Sequence, residues 1–312
     1  MYPIRFKPIY QTYMWGGDRI ERLFHRKTDL PRVAESWEIS DREEGMSVVM
    51  NGPLKGKTLH ELVVEMGEDL MGVGQNYRRF PILAKIIDAK ENLSIQVHPD
   101  EANSPSLHGE AKAEMWVMLD DGSVYAGLKQ PPDEKEFKKA IQENRAEQLI
   151  EKFDLKKGDV VNIPGGRVHA ICAGSLIYEV QQNSNTTYRL YDWGRPRELH
   201  LEEGFAAIRW DDKSSAKVSP RHLSSDLHHQ WVILVETPYF MVERIDVFDQ
   251  LHIAPIPKSF QILYCLDGEG EVGVDGNREP FHLGMTYLIP AACHSIDLKG
   301  PCQALRIRMP LG

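Results

Sequence analysis

Ser94-Ile95-Gln96-Val97-His98-Pro99-Asp100 is the stretch on which the reading of this chain turns. Apolar and polar residues alternate along it, as in a half-buried strand, and Pro99-Asp100 closes it. Alternate side chains of a strand share a face, so Gln96 and His98 can converge on one ion. Downstream, Glu114 lies in a second strand-like run, KAEMWVML, on the same face as Trp116 and Met118. His169 follows a PGG turn in GDVVNIPGGRVHAI. Two imidazoles, a carboxylate and an amide oxygen suit zinc and, less selectively, manganese, iron or cobalt. Each histidine taken singly also fits an ordinary hydrogen-bonded side chain; the joint pattern is what points to a metal.

Around this stretch the same texture continues. SVVM (47–50), EMWVML (114–119), DVVNIP (159–164) and LIYEVQQ (176–182) are short apolar or alternating runs punctuated by Gly, Pro, Asn and Asp, the pattern of an antiparallel, mainly β fold. Two stretches depart from it. Thr58 to Met71 has Leu59, Leu62, Val63, Met66 and Leu70 at helical spacing. Asp133 to Phe153 is rich in Ala, Glu and Lys, with Pro131-Pro132 before it as a helix start, and is expected to be a helical insertion. The polar stretch 211–230, with its Ser pairs and three His, is expected to be a linker between a barrel over 1–210 and a second β-rich part over 231–312. In the latter, DGEGEVGVDG reads as strands joined by tight glycine turns.

Composition sets outer limits. Hydrophobic residues make up 42% and charged residues 27%, with 24 Gly and 19 Pro, the profile of an ordered, turn-rich globular protein. A formal net charge of -9 and the lack of a long basic run argue against a nucleic-acid partner. That acidity leaves an anionic substrate open, because a few Lys and Arg set the field inside a cleft. The four cysteines, Cys172, Cys265, Cys293 and Cys302, form no CxxC pair, which fits a reducing compartment. With neither a signal-peptide core nor a run long enough to span a membrane, the expected location is the cytoplasm.

A Q-x-H strand pair, a Glu on the next strand and G-D-x(4)-P-x-G-x(2)-H on a later hairpin resemble the metal site of cupin barrels. More specifically, the chain resembles the type I phosphomannose isomerases, in their compact bacterial form. The resemblance rests on WGG (15–17), ESWEIS (35–40), FPILAKIIDAKENLSIQVHPD (80–100), KAEMW (112–116), PGGRVHAI (164–171) and TTYRLYDWGR (186–195), which cover the first two thirds of the chain in the family's order. It implies two cupin-like β-barrels, or jelly rolls, the second without metal. It further implies one Zn2+ per chain held by Gln96, His98, Glu114 and His169, and an aldose-ketose isomerase that interconverts mannose 6-phosphate and fructose 6-phosphate through an enediol. Arg189 would stand at the catalytic centre, and Lys85 and Ser94 where the family places phosphate-binding groups.

Residue chemistry extends this. Arg189 offers a permanent positive charge beside an enediolate. Glu179, ten residues after His169, is the favoured base, with a solvated strand-edge carboxylate as the plain alternative and a water on His98 or a Lys as other bases. Lys112, two residues before Glu114, shares its strand face and is a substrate-binding candidate; Lys129 is a further guess. Asp192 and Arg195 are expected to pair with each other or with neighbours of Arg189, without assigned chemistry, and the tryptophans of these motifs to pack in the core, with a sugar ring stacking on one as the other reading. Two other classes compete: another cupin metal enzyme such as a dioxygenase, and a non-catalytic sugar-phosphate-binding protein. The oligomeric state is not readable from sequence.

Overall fold

The computed structural model describes residues 1–129 and 133–311. The chain divides into two compact units, neither continuous in sequence. One comprises Met1–Ile9, Trp37–Leu83 and Ser219–Gly312, the other Tyr10–Ser36 and Ala84–Val218. The sequential partition at 211–230 therefore does not describe the packing. In the first unit Ile4 bridges Leu288, Ala291 N donates to Leu70 O, and the Phe80 ring packs tilted at 4.3 Å from that of Phe260. Such contacts join segments 180 to 284 residues apart, which a reading of local pattern cannot see. The stretch 211–230 itself holds strands: Lys217–Val218 pairs with Val160–Val161, and Arg221–Ser225 pairs with the strand His229–Glu236.

In the unit that carries the Gln-His stretch, two antiparallel sheets enclose an apolar layer. Glu114–Met118 lies between Val160–Ile163 and Leu176–Gln182, and the next strand beyond Leu176–Gln182 is Ile82–Asp88. The other sheet runs Tyr188–Tyr191, Ile95–Val97, His169–Ile171, Gly122–Leu128, Ile150–Leu155. Trp116, Met118, Ile87 and Ile177 of the first meet Val124, Ala126, Leu155 and Ile171 of the second. On the second sheet's other face, Ile95, Val97, Ala170 and Leu190 pack against Phe137 and Ile141 of the helix Glu134–Gln142 and Phe205 and Ala207 of the helix Leu201–Ala207. Strand alternation thus sends Ile95 and Val97 to the helices and Gln96 inward.

The helix expected over 133–153 is shorter. Asp133 caps it by accepting from Glu136 N, and the chain leaves it at Asn144, whose φ of 55° is left-handed. A single 3-10 turn, Ala146–Leu149, leads into Ile150–Leu155, where IEKFDL alternates and pairs with Gly122–Leu128. The Pro131-Pro132 start lies outside the described residues.

In the other unit the helical stretch 58–71 divides into Leu59–Met66 and Glu68–Met71 at Gly67, whose φ is 51°. Thr58 and Glu61 form a reciprocal capping box at its start. The main sheet is built on the long strand Gln261–Val274, which pairs in turn with Cys302–Arg308, Thr286–Ile289, Asn277–His282 and Ile296–Lys299. Its register shifts between Cys265 and Asp267, where the strand changes partners. Residues such as Leu263, Tyr287, Ile296 and Ala304 fill its core.

Candidate metal centre and catalytic cleft

Three of the predicted ligands come together. Nitrogen and oxygen atoms of His98, Glu114 and His169 all lie within 4.8 Å of one another, and all three residues are buried. The register explains why: His169 lies opposite Gln96 across two neighbouring strands, and Glu114 faces them from the other sheet. His98 Nδ1 is 2.9 Å from Thr186 O and His169 Nδ1 is 2.8 Å from Arg167 O. A carbonyl only accepts, so both Nδ1 atoms carry the proton and both Nε2 lone pairs point inward. Each Nε2 stands 3.4 Å from one oxygen of Glu114. Two fixed, neutral imidazoles around a buried carboxylate form a donor set that fits a divalent ion.

Gln96 joins them, its amide Nε2 3.2 Å from His169 Nε2 and its Oε1 accepting from Ser94 Oγ at 3.2 Å. Lys112 reaches the same centre: its ammonium is 3.0 Å from His98 Nε2 and 2.9 Å from Glu114 Oε2. Burial, and then the charge of Lys112, pull the His98 imidazolium down to about 3. Burial lowers His169 as well. Burial alone would raise Glu114, but Lys112 and the histidines outweigh it and hold the carboxyl well below its usual range.

Gln96 and Lys112 also line a cleft of ≈ 280 Å³, together with Lys85, Ser94, Glu179 and Arg189. Arg189, Glu179, Lys85, Ser94 and Lys112 are therefore on one surface, and Gln96 and Lys112 connect it to His98, Glu114 and His169. Glu179 is buried: Oε2 accepts from Trp116 Nε1 at 2.8 Å, and Oε1 is 3.1 Å from Lys85 Nζ. Burial and the nearby Glu114 raise its carboxyl despite the two lysines. Lys85 lies between Glu179 and Glu35, 3.3 Å from the latter, and these carboxylates raise its ammonium although burial acts the other way. Arg189 is half-buried opposite Gln96, donating from Nη1 to Glu198 O at 2.6 Å.

Lys129 is outside the cleft, an exposed side chain donating to Gln148 O. Arg197, Glu35, Tyr13, Asn185 and Thr187 line it without having been singled out. They sit in turns or in a run read only as a motif, where periodicity assigns no direction to a side chain. Asp192 does pair with Arg195, at 2.6 Å, and also holds Arg197, at 2.7 Å. Trp116 and Trp37 are fully buried.

Two family models match. Residues 4–118 match the catalytic domain of type I phosphomannose isomerase, and residues 232–309 match the mannose-6-phosphate isomerase cupin domain. The mannose-6-phosphate isomerase ManA of Bacillus subtilis is 33% identical, over 97% of this chain and 98% of that one. The chain belongs to the mannose-6-phosphate isomerase family. A second family member, from Streptococcus mutans, is 31% identical over 97% of each chain. The crystal structure of mannose 6-phosphate isomerase from Bacillus subtilis superimposes with a TM-score of 0.91 at 30% identity, covering 98% of this chain and 99% of that one. Within the family match, Gln96, His98 and Glu114 fall inside the catalytic-domain model, whereas His169, Glu179 and Arg189 lie beyond it. Among the described residues no helix is long and apolar enough to cross a membrane.

Proposed function

We propose that this protein is a cytoplasmic, Zn2+-dependent isomerase that interconverts mannose 6-phosphate and fructose 6-phosphate through an enediol. The observation that carries the reading is the pair of Nδ1-anchored imidazoles and the buried carboxylate of Glu114 behind a polar cleft lined by Lys85, Lys112, Glu179, Arg189 and Arg197. Family membership narrows the substrate to a sugar phosphate. In this reading the two units are two cupin-like barrels, the one with the histidines being catalytic.

His98, Glu114 and His169 would hold the ion, and Gln96 would complete the set through its amide oxygen after its amide turns from the orientation in which Nε2 faces His169. Bound there, Zn2+ supplies a Lewis acid for the substrate carbonyl. The chain's own groups do the rest. Glu179 moves the proton between C1 and C2: burial and the nearby Glu114 raise its carboxyl, which suits a group that both accepts and returns a proton. Trp116 and Lys85 fix its two oxygens. Arg189 places a permanent charge beside the oxygen on which negative charge develops. Lys85 and Lys112 contact the sugar at the deep end, while Ser94 and Arg197 offer donors to the phosphate. The cations in the cleft favour a polar anion over the apolar substrates of a dioxygenase.

The test is fructose 6-phosphate formation from mannose 6-phosphate by the purified protein, before chelation, after it, and with zinc restored. Activity that chelation removes and zinc returns supports the reading. A metal-loaded protein without turnover would instead indicate a binding protein or another metal chemistry.

A further inference from the structure

A second, larger cleft lies in the same unit. Its volume is ≈ 580 Å³, and its charged residues are Arg19, Arg22, Arg32, Lys90, Asp18 and Asp88. These charges are not equivalent. Arg19 and Asp88 neutralise each other through two bonds, Nε to Oδ1 at 2.7 Å and Arg19 N to Oδ2 at 2.8 Å. The remaining Arg19 donors go to the carbonyls of Gly174 and Ser175. Arg19 and Asp88 are thus a fixed floor, and Gly17 is required beside it, since a Cβ there would lie 2.2 Å from Asp88 Oδ2. Arg32 is exposed and donates only to Met14 O, at 2.6 Å. Arg22 and Lys90 are exposed, and their side chains make no hydrogen bond or ion pair among the described residues. Three cations, Arg22, Arg32 and Lys90, therefore face one concavity whose other unpaired lining charge is Asp18, with Asp120 3.7 Å from Arg19 beside it, in a chain whose net charge is -9.

A solitary surface cation is ordinarily just solvated. Convergence in a concave site is different, because low-dielectric walls concentrate the field and draw in an anion. We propose that this cleft binds a phosphorylated small molecule with at least two negative charges, of nucleotide size, as an effector of the neighbouring catalytic cleft. The volume sits within the ~300–1,000 Å³ usual for small-molecule sites. The same two segments wall both clefts. Tyr13, Trp15 and Ile87 line the catalytic one, and Gly16, Gly17, Asp88 and Lys90 line the other. They are also bonded together: Lys90 N and Glu91 N both donate to Trp15 O, at 2.9 and 3.2 Å, and Gly16 bridges Ala89. A ligand drawing on Lys90 thus acts on the residue that carries the Trp15 wall.

The test uses ADP, without magnesium, titrated calorimetrically into the full-length zinc-loaded protein in excess fructose 6-phosphate. One equivalent should bind. The double variant Arg22→Ala/Lys90→Ala should weaken that binding at least about tenfold, through loss of two charge-assisted contacts. Neither residue touches the catalytic cleft, so the variant's kinetics without ADP should match the parent. In steady-state assays ADP should change the apparent kcat of the parent and leave the variant unaffected. Absence of binding, binding that survives the double variant, or inhibition purely competitive with mannose 6-phosphate would each overturn the proposal. The calorimetric comparison of parent and variant stands whether or not the isomerase reading holds.

Discussion

At the scale of single residues, the proposed roles separate groups that would hold the ion from groups that would act on the substrate. His98→Ala or His169→Ala should remove bound zinc, read by metal analysis, and turnover with it. Arg189→Ala should keep the zinc and lose turnover; full activity in that variant would disprove its role. Trp116→Phe tests the positioning of Glu179. It keeps an aromatic ring and deletes the donor 2.8 Å from Oε2, so the ionised carboxylate loses support and its pKa rises further. The acid limb of the pH profile for kcat/KM should move to higher pH, with kcat falling on the order of tenfold. The buried imidazoles also predict a sign for apoprotein stability. His98 titrates near 6.5 when unfolded and near 3 when folded, so between those values the unfolded state binds the extra proton. Stability of the chelated protein should therefore fall as pH drops from about 6.5 towards 3, measurable by denaturant melts, and His98→Gln should flatten that slope.

At the scale of elements, strand alternation does most of the positioning. Ile95 and Val97 face the helices while Gln96 faces His169, and Glu179 lies opposite Trp116 across adjoining strands. That register makes the Trp116 to Glu179 bond a consequence of sheet pairing. Two local devices are open to test by equilibrium denaturation. Thr58→Ala removes the capping box of Leu59–Met66 and should cost about 1 kcal/mol. Gly17→Ala forces a methyl group against the buried Asp88 carboxylate and should cost about 1–3 kcal/mol. The alternating runs were readable because a period of two is a local property. The strand Ile150–Leu155 was not, because Leu149 and Ile150 continue an apparent helical face and only pairing with Gly122–Leu128 sets it apart.

At the scale of the molecule, zinc should protect one unit selectively. In hydrogen exchange, saturating zinc should slow amides of Ile95–Val97, Glu114–Met118 and His169–Ile171, since a ligand that binds only the folded state stabilises it. The long strand Gln261–Val274 belongs to the other unit and carries none of these ligands, so its exchange should change least. The sequence by itself determined the mainly β class, the candidate ligands Gln96, His98, Glu114 and His169, and the family. These are encoded by residue type, by alternation and by short motifs, all visible within a few positions along the chain. Only the tertiary structure decided that residues 1–9 and 37–83 pack with 219–312, that Lys112 lies against the ligands, that Arg197 enters the catalytic cleft, and that Arg22, Arg32 and Lys90 face a second one. Those facts depend on strand pairing and loop direction between segments distant in sequence, where contact energies act that leave no periodic trace in the chain.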